Sequence, residues 1–246
     1  MAAHVNTTSS TPKRVLIVVS NPAVSTTVGG RVGFWASELF HAYHELREAG
    51  YEIDVRSPRG GKVELDAWSD PRDNSRYSAE DVLSLGYLNL PEMRALLENT
   101  KSLDGVTPND YDAIIVAGGQ GPMFTFPQET RLHELIGDFY RAEKPTAALC
   151  HGVAVLLFVK AADGIPLIAG KTMTGFANSE EDFADEYVGK RVMPFRIEDE
   201  ARKLGANFVT AGRFRPFAIR DGRLITGQQQ YSAQATARLV IEALGV

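Results

Sequence analysis

The 246-residue sequence has a single cysteine, Cys150. No intrachain disulfide can form, so the chain reads as made for a reducing, cytoplasmic compartment. Long apolar runs are missing too: none approaches the roughly 20 residues of a membrane-spanning helix. Basic residues do not dominate. Lys and Arg number 26 against 31 Asp and Glu, a formal net charge of -5, so the basic face that nucleic acid demands is not expected. P-loop, HExxH and CxxC patterns are absent. His41 and His44 lie at i and i+3, but two ligands do not make a zinc site, and no metal or cofactor is expected. Residues 1–13 are rich in Ser and Thr and lack an apolar segment. They read as a disordered tail, not a signal peptide.

What is present is core material: 44% of residues are hydrophobic, enough for a large buried interior. Arg14 to Ser20, Asp112 to Ala117 and Thr146 to Leu149 are short β-branched or small apolar runs, which suit parallel strands buried on both faces. Between the first strand and a second at Tyr51 to Arg56, Leu39, Tyr43 and Leu46 recur at helical spacing before a stop at Gly50. Residues 57–110 are rich in Pro, Gly, Asp, Asn and Arg. They read as an excursion carrying short helices near Ala79–Leu85 and Pro91–Leu97. Helices are expected at Glu129–Tyr140, Gly152–Lys160, Ser179–Tyr187, Glu198–Leu204 and Ser232–Leu244. Strands are expected near Lys171–Thr174 and Asn207–Thr210, and a hairpin turning at Asp221-Gly222 over Phe217–Ile225. The alternation predicts an α/β fold, a three-layer sandwich with a mostly parallel central sheet. Residues 14–246 are expected to form one domain.

Active sites in open α/β sheets lie at the carboxyl ends of the strands. Two loops occupy such ends. In Ala148-Leu149-Cys150-His151-Gly152, small neighbours allow the tight strand-to-helix turn of a nucleophile elbow. The following helix N-terminus would favour thiolate, the nucleophilic form. In Ala117-Gly118-Gly119-Gln120-Gly121, clustered glycines allow backbone N–H groups to form an oxyanion hole. A dinucleotide reading of the same loop lacks its third glycine, because Phe124 occupies that place. Among the five histidines only His151 lies at or beyond the cysteine, and no downstream His-x-Glu exists, so glutamine hydrolysis by that triad is not expected. Glu38 sits within the apolar stretch Phe34 to Phe40. By periodicity alone it reads as a surface glutamate on an amphipathic helix.

These stretches match a known family. Gly33-Phe-Trp-Ala-Ser-Glu38, Ser57-Pro-Arg-Gly-Gly61 with Asp66, Ala117 to Met123, Ala148 to Gly152, Gly170 to Phe176 with Glu180-Glu181, and Asp221 to Gly227 resemble the ThiJ/PfpI superfamily. That superfamily shares the flavodoxin-like fold of class I glutamine amidotransferases. The chain is most similar to the branch of glyoxalase III enzymes and heat-shock chaperones. The resemblance implies that Cys150 is the nucleophile, with His151 beside it. It implies that Glu181 rather than Glu180 orients the histidine, and that Glu38 pairs with the thiol as general acid/base. Gly119 and the backbone after Cys150 fall on the oxyanion positions, and Gln120 and His151 on the substrate side.

Two departures stand near the expected pocket. Gln120 replaces a histidine common in the glycine loop, and Gln228, Gln229 and Gln230 with Tyr231 replace a Gln-Asn-Pro-Ala run. The zinc-bearing cap of some bacterial chaperone members is not recognisable. The expected activity is conversion of methylglyoxal or a related α-oxoaldehyde to a 2-hydroxy acid, D-lactate, through a cysteine hemithioacetal. The alternatives are a cysteine-dependent amidase, peptidase or hydratase, or a stress chaperone or redox sensor. The expected partner is a small-molecule carbonyl or amide substrate, and the expected assembly a homodimer.

Overall fold

A computed structural model describes residues 12–245. Residues 1–11 of the expected tail, His4 among them, lie outside the described residues.

The chain opens with β1 (Arg14–Val18), a two-residue-stranded hairpin of β2 (Ala23–Val24) and β3 (Arg31–Val32), and α1 (Ala36–Glu48). β4 (Glu52–Arg56) and β5 (Arg59–Gly61) follow, then α2 (Val82–Asn89), α3 (Pro91–Glu98) and β6 (Thr100–Ser102). Next come β7 (Ala113–Val116), a short α4 (Gly121–Thr125), α5 (Thr130–Arg141) and β8 (Thr146–Leu149). β8 runs straight into Cys150–Phe158, which is wound as a 3-10 helix rather than the expected α-helix. β9 (Thr172–Met173), α6 (Asn178–Val188), α7 (Ile197–Lys203) and β10 (Asn207–Phe208) lead to the terminal hairpin. That hairpin is β11 (Ala218–Asp221) and β12 (Leu224–Gly227), and α8 (Ala233–Ala243) closes the chain.

Eight strands form the main sheet in the order β11-β12-β8-β7-β1-β4-β6-β5. β12 through β6 pair in parallel, and only the two edge strands β11 and β5 run antiparallel. Within it, β4-β1-β7-β8-β12 is the flavodoxin-like order 2-1-3-4-5, whose switch point falls between β1 and β7. The strands read as continuous apolar runs because both faces are covered. Val15, Ile17, Ile115 and Leu149 pack with Leu39, Phe40, Met93 and Val240 of α1, α3 and α8. Their neighbours Leu16, Val18, Ile114, Val116 and Ala148 point the other way, onto Leu132, Ile136 and Phe139 of α5 and the Cys150–Phe158 segment. These are the two cores of a three-layer sandwich.

Local chemistry sets the boundaries. α1 stops where Gly50 takes φ +78. Asp81 caps α2 by accepting from the Ser84 N–H at 3.0 Å, and Pro91 opens α3. The excursion holds more structure than its composition suggests. Besides α2 and α3 it adds β5 and β6 to one sheet edge. These three-residue strands are too short to leave a periodic signal in a Gly-rich stretch. Among the described residues no helix is long and apolar enough to cross a membrane.

Candidate active site

The carboxyl ends of β1, β7 and β8 meet α1 beneath a cavity of about 220 Å³. Cys150 lies at its floor and is buried. Its φ of +55 is left-handed, an uncommon state for a residue with a Cβ, which costs on the order of 1–3 kcal/mol and marks a functional turn. The elbow requires a glycine two residues on. A Cβ at Gly152 would stand 2.7 Å from the carbonyl oxygens of Val116 and Ala117. The glycine loop has a like constraint at Gly119, where φ is +100 and a Cβ would lie 2.5 Å from the Trp35 nitrogen. This backbone aims the N–H groups of Gly119 and His151 at the cysteine sulfur.

Glu38 is not on the surface. It is fully buried, in the first turn of α1, with Oε2 accepting the Gly118 N–H at 2.7 Å. Its other oxygen has no conventional partner, and the neighbouring acidic group is the Cys150 thiol. Burial pushes the carboxyl up to about 8, against the opposing pull of hydrogen bonds from Cys150 and Gly118. Burial, together with the negative charge of Glu38, pushes the thiol up as well, and the His151 and Gly119 N–H groups draw it down. The expectation that a helix N-terminus simply favours thiolate is corrected here. Desolvation outweighs the few aligned N–H groups, so the thiol is not acidic by itself. Two anions cannot share this enclosed space, and the pair retains a proton at neutral pH.

His151 occupies the other side. Nδ1 stands 3.8 Å from the cysteine sulfur, and Nε2 lies 3.0 Å from Glu181 Oε1. Phe176 stacks on the imidazole at 4.1 Å between centroids. Because Glu181 accepts at Nε2, a neutral ring turns its free acceptor nitrogen, Nδ1, toward the thiol. Glu181 lies in the first turn of α6.

The adjacent Glu180 has a different task. Its Oε2 accepts from the Ala177 N–H at 2.9 Å, and its Oε1 accepts from Phe214 N–H at 2.9 Å and Gln228 Nε2 at 2.8 Å. Gln228 Oε1 in turn accepts from the Ala211 N–H at 2.8 Å. Gln228 is therefore consumed by the loop after β10, and Gln229 Oε1 accepts from the Tyr231 N–H. Of the three glutamines only Gln230 reaches the cavity, which Gln120 also lines.

Asp66 is a residue that sequence reasoning placed in a motif without a task. It is buried, and it accepts from Gly33 N–H at 2.9 Å and from the Gln120 N–H. It thus ties the glycine loop to the chain entering α1. Its carboxyl is pushed up to about 7 by burial. His41 and His44 are occupied elsewhere, with Asp81 at 2.8 Å and the Tyr87 hydroxyl at 3.2 Å.

Residues 92–243 match the DJ-1/PfpI family. The chain belongs to that family. A probable glutathione-independent glyoxalase of Schizosaccharomyces pombe is 30% identical over 240 residues, spanning 88% of this chain and 92% of the relative. The crystal structure of glyoxalase III from Candida albicans superposes with a TM-score of 0.76 at 28% identity, covering 94% of this chain and 97% of that one. The structure of a 24 kDa rapid encystment protein from Francisella tularensis gives a TM-score of 0.85 at 31% identity, covering 95% and 100%. The glyoxalase branch named from sequence motifs is thus also the branch of the first two of these.

Proposed function

We propose that this DJ-1/PfpI protein is a glyoxalase III-type enzyme that converts α-oxoaldehydes to 2-hydroxy acids without glutathione. The observation that carries this reading is the buried Glu38–Cys150 pair facing His151. A thiol nucleophile is flanked by two groups able to move protons, where simple hydrolysis would need only one.

The steps balance within the chain and one water. As the cysteine sulfur adds to the aldehyde carbon its proton passes to Glu38, which delivers a proton to the new alkoxide, giving a hemithioacetal. The Gly119 and His151 N–H groups support the developing oxyanion. His151 Nδ1 removes the hydrogen from the former aldehyde carbon as a proton, the electron pair moves onto the ketone oxygen, and that oxygen takes a proton from Glu38, giving an enediol. Glu181 supports the imidazolium that forms. The imidazolium protonates the adjacent carbon and the hydroxyl on the sulfur-bearing carbon returns a proton to Glu38, leaving a 2-hydroxy thioester. Water then adds, the C–S bond breaks, and the thiol regains its proton. The aldehyde carbon is oxidised and the ketone carbon reduced, so no external redox partner enters. The single cysteine suits a reducing compartment, and the acidic balance suits a small neutral substrate better than nucleic acid. A cytoplasmic homodimer with residues 14–246 as one domain completes the reading.

The test is release of lactate from methylglyoxal by the purified protein, without glutathione or added metal. Cys150→Ser should lower the rate at least about 10³-fold. Methylglyoxal left unconsumed by the wild type overturns the assignment.

A further inference from the structure

The cavity above Cys150, about 220 Å³, is more apolar than a three-carbon oxoaldehyde requires. Its wall is a chain of six aromatic rings, each paired with the next. Trp35 meets Tyr77 edge-on at 6.0 Å, and Tyr77 stacks on Trp68 at 5.9 Å. Trp68 meets Tyr187 edge-on at 5.4 Å. Tyr187 stacks on Phe183 at 6.5 Å, and Phe183 meets Phe214 edge-on at 5.4 Å. All five spacings fall in the range of attractive ring pairs. Every member lines the cavity.

The collar joins distant parts of the chain. Trp35, Trp68 and Tyr77 come from the entry to α1 and the excursion, and the other three from α6 and the loop after β10. Phe214 is fixed in a left-handed conformation, φ +55, and its N–H is gripped by the buried Glu180. Among the described residues no Lys, Arg or Asp lines the cavity. The carboxylate that does, Glu181, is engaged with His151. The lining thus offers an anionic ligand no Lys or Arg.

We infer that the collar selects α-oxoaldehydes carrying a planar aromatic group over methylglyoxal. This deepens the glyoxalase reading and rests on it for the reaction, but not for the binding. The ring slots among the six faces while the oxoaldehyde end reaches Cys150.

The experiment compares phenylglyoxal with methylglyoxal, read as mandelate and lactate released. Acetophenone, which has the ring but no aldehyde, reports occupancy alone. Both tryptophans of the chain are in the collar, so its binding to Cys150→Ala is read by tryptophan fluorescence. We expect kcat/KM for phenylglyoxal to exceed that for methylglyoxal at least about 10-fold, the scale set by apolar pocket contacts. Trp68→Ala should lower that ratio about 10-fold, and Trp68→Phe should restore most of it. Acetophenone should quench the fluorescence saturably. Equal or better use of methylglyoxal, or a ratio unmoved by Trp68→Ala, overturns the inference, as does failure of acetophenone to bind. If acetophenone binds but neither acid is released, the glyoxalase reading falls while the aromatic site stands.

Discussion

On the floor of the cavity, Cys150, Glu38 and His151 are enclosed and held by short-range polar contacts. Around the wall, aromatic rings are partly exposed and mainly touch one another; Tyr187 keeps 71% of its surface in water. The floor is built at the carboxyl ends of three neighbouring sheet strands, where the backbone is fixed by pairing on both sides. The wall hangs on the excursion, on α6 and on an irregular loop. The difference separates two jobs. Reaction chemistry demands positions good to a fraction of an ångström and therefore sits on rigid strands. Recognition of an apolar group demands only area and shape, and tolerates the periphery.

The sharpest way to break this contrast is at Glu38. Glu38→Gln keeps both contacts of the floor: the amide oxygen accepts from Gly118 and the NH₂ donates toward the sulfur. It removes proton exchange. Turnover of α-oxoaldehyde should fall about 10³-fold, while alkylation of Cys150 by iodoacetamide stays near wild type. Glu38→Leu should lose both, because it also strands the buried Gly118 N–H. Wild-type turnover in Glu38→Gln removes the proton shuttle from the mechanism.

The floor and wall also differed in how far they could be read in advance. The elbow at Cys150, the glycine loop and the parallel strands were legible because each is local: a few residues in sequence determine a turn or a strand. The place of Glu38 was not legible from periodicity, since one helix position looks much like another until the sheet is laid against it. Only motif resemblance moved it to the thiol. The collar left no signal at all. Trp35, Trp68, Tyr187 and Phe214 are scattered over some 180 positions, and their contacts exist only once the excursion and α6 fold over the sheet edge. The glutamines after β12 show the opposite case. They stand near the expected pocket, yet Gln228 and Gln229 satisfy backbone N–H groups and the buried Glu180 carboxylate.

A second measurement sharpens the contrast through stability. The Glu38 carboxyl is raised from 4.5 to about 8, so between those values the unfolded chain has lost the proton that the folded chain still holds. Folding then binds protons, and stability falls as pH rises through this window. Glu38→Gln cannot ionise in either state. Its stability relative to wild type should therefore increase between pH 5 and 7.5, by on the order of 3 kcal/mol at 1.36 kcal/mol per unit. Denaturant unfolding at the two pH values checks it. Asp66, raised to about 7, contributes a slope of the same sign to both proteins and largely cancels in the difference. A pH-independent difference would mean that Glu38 ionises in the fold as freely as in water.

The smallest expected effect lies on the wall and concerns folding alone. Tyr187 meets Trp68 edge-on and stacks on Phe183, yet most of its ring faces solvent. Tyr187→Ala removes little area that folding had taken from water, and no hydrogen-bonded group is left unpaired. Exposed substitutions of this kind change stability by about 0.5 kcal/mol or less. For a chain of this size that is a shift in Tm of about 2 °C or less. Phe34, fully buried where the chain enters α1, is the control from the floor, where Phe→Ala should cost about 3–5 kcal/mol. Thermal unfolding of the two variants side by side decides the point. If Tyr187→Ala lowers Tm as far as Phe34→Ala does, the collar is part of the core and not a recognition surface laid over it, and the separation of floor from wall fails.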